Sequence, residues 1–130
     1  MKASATSNTL DISNNSFAKA VDASASKTAV NIIGSGENNI LKGGKVADTL
    51  NGDSGDDTLI GGKGNDIFIH KKGNDVINDY AAGDIISLAG TTFNDMISWT
   101  FNKKDVIFNL GDNNTFKVEN GKNITINENR

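Results

Sequence analysis

Large apolar residues recur at every ninth position through the middle of the chain, between segments rich in glycine, asparagine and aspartate. They are Leu41, Leu50, Leu59, Phe68, Ile77 and Ile86. A nine-residue period gives no single apolar stripe on an α-helix, and each glycine would destabilise a helix by about 1 kcal/mol. Short strands fit better, because a segment such as Thr58-Leu59-Ile60 buries its central residue while the six residues before it form a turn.

The repeated segments align as nonapeptides from Gly34 to Asn78, and a further one, DYAAGDIIS, ends at Ser87. Two nonapeptides make one coil of a flattened parallel solenoid, with turns alternating between its two edges. Each coil buries its apolar residue only against its neighbours, so several coils are required. Counting back nine residues from Leu41 reaches Ile32, and nine more reaches Ala23. The nine-residue register is therefore predicted to start before Gly34. The predicted fold class is all-β, with a parallel β-roll over residues 34–87.

A different pattern follows Ser87, where apolar and polar residues alternate in short runs. The runs are joined at NKKD, GDNN and Asn120-Gly121, the last a strong hairpin signal. Residues 88–130 are therefore predicted to form antiparallel β-strands that cap the open end of the solenoid. The alternative for this segment is a surface that presents Trp99 to a partner or a glycan.

The segment before the repeats keeps the apolar residues but loses the turn chemistry. Residues 9–33 predict an N-terminal strand and degenerate coils, formed by Leu10, Ile12, Phe17 and the run Ala20-Val21-Asp22-Ala23. Residues 1–8 are expected to be disordered.

A second column occupies the sixth position of the nonapeptides, where Asn39, Asp48, Asp57, Asp66, Asp75 and Asp84 stand. Turns on one edge are two nonapeptides apart, so Asp48, Asp66 and Asp84 share one edge and Asn39, Asp57 and Asp75 share the other. Parallel strands lie about 4.8 Å apart, about twice a calcium–oxygen distance of about 2.3–2.6 Å. The spacing predicts one calcium ion between successive carboxylates, with the five aspartates as ligands. Asp84 is a more plausible end of the array than Asn39.

Facing carboxylates repel each other when no cation lies between them. Two unit charges 5 Å apart cost roughly 0.8 kcal/mol in water and about 3 kcal/mol at an effective dielectric of 20. Summed over two columns, this is comparable with a small domain's stability of about 5–15 kcal/mol. We therefore expect a chain that is largely unfolded without calcium and folded with it.

Composition and charge exclude several other classes of protein. The chain has no cysteine and no proline, its net charge is −3, and no basic cluster exceeds two adjacent lysines, which argues against nucleic acid as a partner. It lacks the apolar runs of a transmembrane segment or a secretory signal peptide. No EF-hand or phosphate loop is present. The single histidine, His70, opens a degenerate turn with no marked nucleophile, so the chain is not expected to be an enzyme.

The repeats carry a specific motif, G-G-x-G-x-D followed two positions later by an apolar residue. Gly61–Ile69 matches every position, Gly52–Ile60 departs only at Asp53, and Gly43–Asn51 departs only at Val46. These segments resemble the calcium-binding nonapeptide of repeats-in-toxin (RTX) proteins. The stretch from Asp79-Tyr80 to Leu88 also resembles the segment that follows the last repeats in many RTX proteins.

The resemblance implies ligands and a biological setting. Loop carbonyls of two stacked turns would complete the calcium shell, supplied by Gly43, Gly44, Lys45, Gly52, Ser54, Gly55, Gly61, Gly62, Lys63 and Gly64. It implies two to four calcium ions, a monomeric chain, and export to the exterior of a bacterium by the type I secretion machinery, with folding driven by extracellular calcium. Exported members of the family end in a few apolar residues; this chain ends Asn127-Glu128-Asn129-Arg130, so a truncated or internal segment is expected.

Other interpretations stay open at this point. The calcium-rigidified roll could serve adhesion or carbohydrate binding, with a glycan or cell-surface partner. It could equally be the non-catalytic tail of a secreted enzyme or toxin. A solvated, glycine-rich loop would explain one isolated GGKGND segment, but not an array that keeps its register.

Overall fold

The computed structural model describes residues 9–81, 83–88, 98–102, 105–110, 114–119 and 126–127. In these residues it contains strands and no helix. The strands are β1 (Thr9–Asp11), β2 (Ala20–Asp22), β3 (Asn31–Ile33), β4 (Ile40–Lys42), β5 (Thr49–Asn51), β6 (Thr58–Ile60), β7 (Ile67–His70), β8 (Asn74–Ile77), β9 (Ile85–Leu88), β10 (Ser98–Asn102), β11 (Asp105–Asn109), β12 (Thr115–Val118) and β13 (Ile126–Asn127). No helix capable of crossing a membrane is found in the described ranges.

Two sheets face each other, and consecutive strands from β1 to β9 alternate between them. One sheet has the order β1-β3-β5-β7-β9-β13, and the other has the order β10-β11-β12-β8-β6-β4-β2. Through the repeats the pairing is parallel, with Leu50 opposite Phe68 and Leu41 opposite Leu59, eighteen positions apart. The parallel β-solenoid with two nonapeptides per coil is therefore confirmed.

The core is a ladder of single inward residues, because each short strand buries only its centre. Leu41, Leu50, Leu59, Phe68, Ile77 and Ile86 are each at most 1% exposed. Their strand neighbours point outward, as Ile40 does with 49% of its surface exposed. Alternation along a strand explains both, since successive side chains leave opposite faces.

The predicted register holds at Ile32, which pairs with Leu50, but it is wrong at Ala23 because the N-terminal coils are longer than the repeats. Val21, not Ala23, occupies the inward column, because it pairs with Leu41 twenty positions later. Leu10 pairs with Ile32, twenty-two positions later. Each of these coils needs extra residues in its turns, which lack the compact glycine motif. Phe17 lies in one such connection and is 91% exposed.

The C-terminal cap is only partly antiparallel. The strands β10, β11 and β12 pair antiparallel, as the alternating pattern predicted. However, β12 pairs parallel with β8, placing Phe116 opposite Asp75, so it occupies the position of a further coil. Phe108 and Phe116 are fully buried and stack with ring centroids 4.5 Å apart.

The strands β12 and β13 do not form the antiparallel pair that the sequence predicted across Asn120-Gly121. Both edges of β12 are already occupied, by β11 and β8, so the chain cannot fold back beside it. Instead β13 joins the opposite sheet and pairs parallel with β9. Three of the sequence predictions concern parts of the chain outside the described residues. These parts are residues 1–8, the connection at Asn120-Gly121 and the side chain of Trp99.

Candidate metal centre

The sixth-position residues form two columns, one on each edge of the solenoid. On the first edge the backbone N–H of Asp48 donates to Asp66 Oδ1 at 2.9 Å, and that of Asp66 donates to Asp84 Oδ1 at 2.8 Å. We call Asp48, Asp66 and Asp84 the first column. Each carboxylate thus reaches back eighteen residues to the preceding coil.

The second column, Asn39, Asp57 and Asp75, is built in the same way. The N–H of Asn39 donates to Asp57 Oδ1 at 2.8 Å, and that of Asp57 donates to Asp75 Oδ1 at 2.9 Å. All six residues of the two columns are buried, with at most 2% of their surface exposed. Buried carboxylates are stable only when their oxygens are hydrogen-bonded, protonated or bound to a cation.

The aspartates of the two columns differ in whether Oδ2, the second carboxylate oxygen, accepts a hydrogen bond. Asp57 Oδ2 and Asp66 Oδ2 are buried and accept no hydrogen bond in the structure. In contrast, Asp48 Oδ2 accepts from Gly44 N at 2.6 Å, and Asp84 Oδ2 accepts from Ala81 N at 2.9 Å. Each column therefore holds one acceptor oxygen that no protein group satisfies.

Backbone conformation explains why the two central turns leave that oxygen unsatisfied. In the turn 61–66 the second and fourth residues have positive φ, 87° at Gly62 and 95° at Gly64. In the turn 52–57 the same positions have φ values of 63° at Asp53 and 95° at Gly55. In the turn 43–48 no residue has a positive φ. The two central turns share one conformation, which we call the open turn.

In the open turns the second N–H is directed away from the turn's own aspartate. The N–H of Asp53 donates to Asn51 Oδ1 at 2.9 Å, and that of Gly62 donates to Asp79 Oδ2 at 2.8 Å. In the turn 43–48 the equivalent N–H, that of Gly44, satisfies its own Asp48. The motif therefore builds a turn whose carboxylate keeps one oxygen without a hydrogen-bond partner.

Glycine at the first position of the turn lets oxygens from two coils approach each other. A Cβ added at Gly52 or Gly61 would collide with the carboxylate of the same turn. A Cβ added at Gly43 would lie 2.5 Å from the Gly61 carbonyl oxygen and 2.6 Å from Asp48 Oδ2. A carbonyl and a carboxylate of successive coils thus converge beside a glycine, as a hard cation with oxygen ligands requires.

The residues whose carbonyl oxygens are predicted to bind calcium lie on both edges of the solenoid. The turns 43–48 and 61–66 stack on the first edge, where Lys63 N donates to the Gly44 carbonyl at 3.1 Å. This brings together Gly43, Gly44, Lys45, Gly61, Gly62, Lys63 and Gly64. Gly52, Ser54 and Gly55 lie in the turn 52–57 on the opposite edge. Calcium ligation by these carbonyls and by the five aspartates remains a prediction.

Burial makes the open-turn carboxylates hard to ionise without a cation. It raises the pKa of Asp57 to about 8 and that of Asp66 to about 7, against an ordinary value of 3.8. Burial also raises the pKa of Asp84. Hydrogen bonds from backbone N–H groups oppose the rise, and repulsion by neighbouring aspartates adds to it. Loss of hydration therefore raises the pKa of these carboxylates more than repulsion between neighbouring aspartates does.

The oxygens that meet at the turns are of the kind that calcium accepts. Within the described ranges, no three histidine, cysteine, aspartate or glutamate side chains form a metal-binding group. Zinc-type sites need three or four such side chains. Calcium accepts a few carboxylates together with backbone carbonyls, and these are the oxygens that meet at the turns.

Asp79 contacts one of the open turns, and the sequence did not single it out. Its two carboxylate oxygens accept from Gly61 N and Gly62 N, each at 2.8 Å. Asp79 stands at the first position of the turn 79–84, where the motif has glycine, and it holds the open turn 61–66 in place. The aspartate that begins the DYAAGD segment was the available signal.

The chain matches one family model, that of the RTX calcium-binding nonapeptide repeat in four copies. The match covers residues 33–68 and, in a second alignment, residues 43–77. No curated protein matches the chain. The matched residues include both open turns and all members of the two columns except Asp84.

Proposed function

Because residues 33–77 are RTX calcium-binding nonapeptide repeats, we propose that this chain is a non-enzymatic module whose folding outside the cell is driven by calcium. The observation that carries the proposal is the pair of buried, unsatisfied oxygens, Asp57 Oδ2 and Asp66 Oδ2. An oxygen in that state needs a proton or a cation, and only a cation allows the carboxylate to stay charged at neutral pH. Converging carbonyls from the stacked turns support calcium as that cation.

The two open turns are the best-supported sites, one on each edge. Asp57 would bind an ion together with carbonyls from the turn 52–57, and Asp66 with carbonyls from the turns 43–48 and 61–66. Asp48 and Asp84 would serve as further ligands in a total of two to four ions. Calcium supplies positive charge that neutralises carboxylates on successive coils, and the backbone supplies the turn shape that holds them.

Calcium binding and folding are expected to be coupled, because the columns exist only when the coils are stacked. An ion that binds the folded state alone stabilises it by about 2.7 kcal/mol for each site at a hundredfold excess over Kd. Two such sites contribute a large share of a typical domain stability of about 5–15 kcal/mol. The coils also bury their apolar residues only against one another, so the solenoid gains or loses order as a unit.

The coupling gives the module a role in export. RTX repeats are typical of secreted bacterial proteins, and we propose type I secretion as the route. Calcium is scarce inside a cell, so the chain would stay unfolded during transport. Outside, millimolar calcium would fold it and prevent its return.

Asp66→Asn tests the proposal, because it preserves the size of the side chain and removes its charge. At pH 8.5 the wild-type chain should lack a β-sheet circular dichroism spectrum in chelator and acquire one in millimolar calcium. Calorimetry should show that Asp66→Asn binds at least one ion fewer, or that it needs at least tenfold more calcium to fold. The matched control is Asp56→Asn, since Asp56 is exposed and outside both columns. Equal β-content of the wild type in chelator and in calcium would contradict the proposal.

A further inference from the structure

His70 occupies a position at which the motif requires glycine. It is the first residue of the turn 70–75, equivalent to Gly52 and Gly61 in the open turns. In those turns a Cβ would strike the carboxylate of the same turn. The His70 side chain is instead accommodated and only 2% exposed. A large polar side chain in this place needs an explanation from its contacts.

The imidazole of His70 satisfies the oxygen that the open turns leave free. Its Nδ1 lies 2.7 Å from Asp75 Oδ2. The two atoms share one hydrogen, and Nδ1 donates it when the carboxylate is ionised, because an ionised carboxylate only accepts hydrogen bonds. Asp75 Oδ1 meanwhile accepts from Asp57 N, as every aspartate of the columns accepts from the coil before it.

Asp57 and Asp75 are successive aspartates of the second column, and they differ mainly in the partner of Oδ2. Asp57 Oδ2 has none, and Asp75 Oδ2 has the imidazole. The turn 70–75 also lacks a positive φ at Lys71, its second residue, although Gly73 at the fourth has φ 99°. It is therefore a closed version of the same turn.

The other face of His70 contacts the cap. Its Nε2 lies 2.6 Å from Oδ1 of Asn114, which immediately precedes β12. The imidazole centroid lies 5.0 Å from that of the Phe116 ring. Because β12 occupies the position of the next coil, the cap lies where a further repeat turn would stack on 70–75.

We propose that His70 takes the place of a calcium ion at the C-terminal end of the second column. It closes Asp75 Oδ2 to metal and connects the last repeat turn on this edge to the cap by protein contacts alone. This inference rests on the proposed calcium sites in the open turns. It assigns the second column one ion fewer than its aspartates suggest, and it makes the junction with the cap independent of calcium.

Restoring the motif glycine with His70→Gly is the test. Calorimetry on the full chain, at a calcium concentration where circular dichroism shows both proteins folded, should give one more bound ion per chain for His70→Gly than for the wild type. Asp75→Asn in the His70→Gly background should abolish the gained ion. The matched control is Lys71→Gly, which restores the second glycine, leaves His70 in place and should leave the ion count unchanged.

A measurement on the wild type keeps the inference testable if His70→Gly fails to fold. In the calcium-saturated protein, the Nδ1 proton of His70 should be observed by ¹⁵N-resolved NMR as a hydrogen-bonded, slowly exchanging signal. A folded His70→Gly with an unchanged ion count, or a rapidly exchanging Nδ1 proton, would overturn the inference. A wild-type chain that binds no calcium would instead contradict the proposed function, so the two failures are distinguishable.

Discussion

At the scale of single residues, Asp53 shows how an imperfect repeat builds the complete turn. It stands where the motif has its second glycine, and among the described residues it is the single non-glycine with positive φ. Aspartate tolerates the left-handed region better than most side chains do. The segment GDSGDD therefore adopts the same open turn as GGKGND, although its second residue is not the glycine of the motif.

Substitution at Asp53 should depend on backbone conformation and not on charge. Asp53→Val, with a β-branched side chain at φ 63°, is expected to destabilise the calcium-bound protein by about 1–2 kcal/mol. Asp53→Gly should change stability by less than about 1 kcal/mol. Urea denaturation in saturating calcium measures both values.

Both variants lose the Asp53–Lys71 ion pair at 3.3 Å, whose contribution at the surface is small, so their difference isolates the backbone effect. Lys72→Val, at an exposed position of the turn 70–75, controls for the β-branched side chain alone. Equal losses for Asp53→Gly and Asp53→Val would show that φ at this position is unimportant.

At the scale of the strand, each repeat contributes one inward side chain and little else to the core. Leu59 is 1% exposed and pairs in register with Leu41 on one side and Ile77 on the other. Neighbouring coils cannot collapse into a vacancy there, because the backbone ladder keeps their spacing. The cost of losing one side chain should therefore be near the upper part of the usual range.

Leu59→Ala is expected to reduce the free energy of unfolding by about 2–5 kcal/mol. Ile40→Ala, which removes an outward side chain that is 49% exposed, should cost less than about 0.5 kcal/mol. Chemical denaturation in saturating calcium compares the two. Similar losses for both variants would mean that the inward ladder does not dominate stability.

At the scale of the whole molecule, the buried carboxylates couple folding to pH in opposite directions with and without calcium. Asp57 has Asp75 and Asp56 as charged neighbours, and Asp66 has Asp84, Asp48 and Asp79. These neighbours are all acidic, so a proton on Asp57 or Asp66 relieves both burial and repulsion. The calcium-free folded state consequently binds more protons than the unfolded state between pH 4 and 8.

In chelator, stability from Asp57 and Asp66 should be fully present below the ordinary carboxyl pKa of 3.8 and lost as pH rises through about 7 and 8. Circular dichroism in chelator should therefore show more β-structure at pH 5 than at pH 8.5. With calcium the order reverses, because protons compete for the same oxygens, and calorimetry should give weaker binding at pH 6 than at pH 8. More β-structure at pH 8.5 in chelator, or pH-independent calcium affinity, would contradict this.

The sequence alone determined the solenoid, its inward ladder and the two columns. Strand, turn and coil repeat with the period of nine, so a local pattern is enough to specify stacking between equivalent positions. It also marked the aspartates at 48, 57, 66, 75 and 84 as one chemical set.

Only the tertiary structure decided which members of that set differ. Asp57 Oδ2 and Asp66 Oδ2 lack a hydrogen bond because the neighbouring N–H is directed elsewhere. For Asp66, that N–H belongs to Gly62 and donates to Asp79, which lies in a turn one coil later. His70 meets Asn114 across forty-four residues, and β13 joins the sheet opposite β12. These contacts join the regular repeats to irregular segments, where no period relates one position to another, so their partners are settled only by the packing of the folded chain.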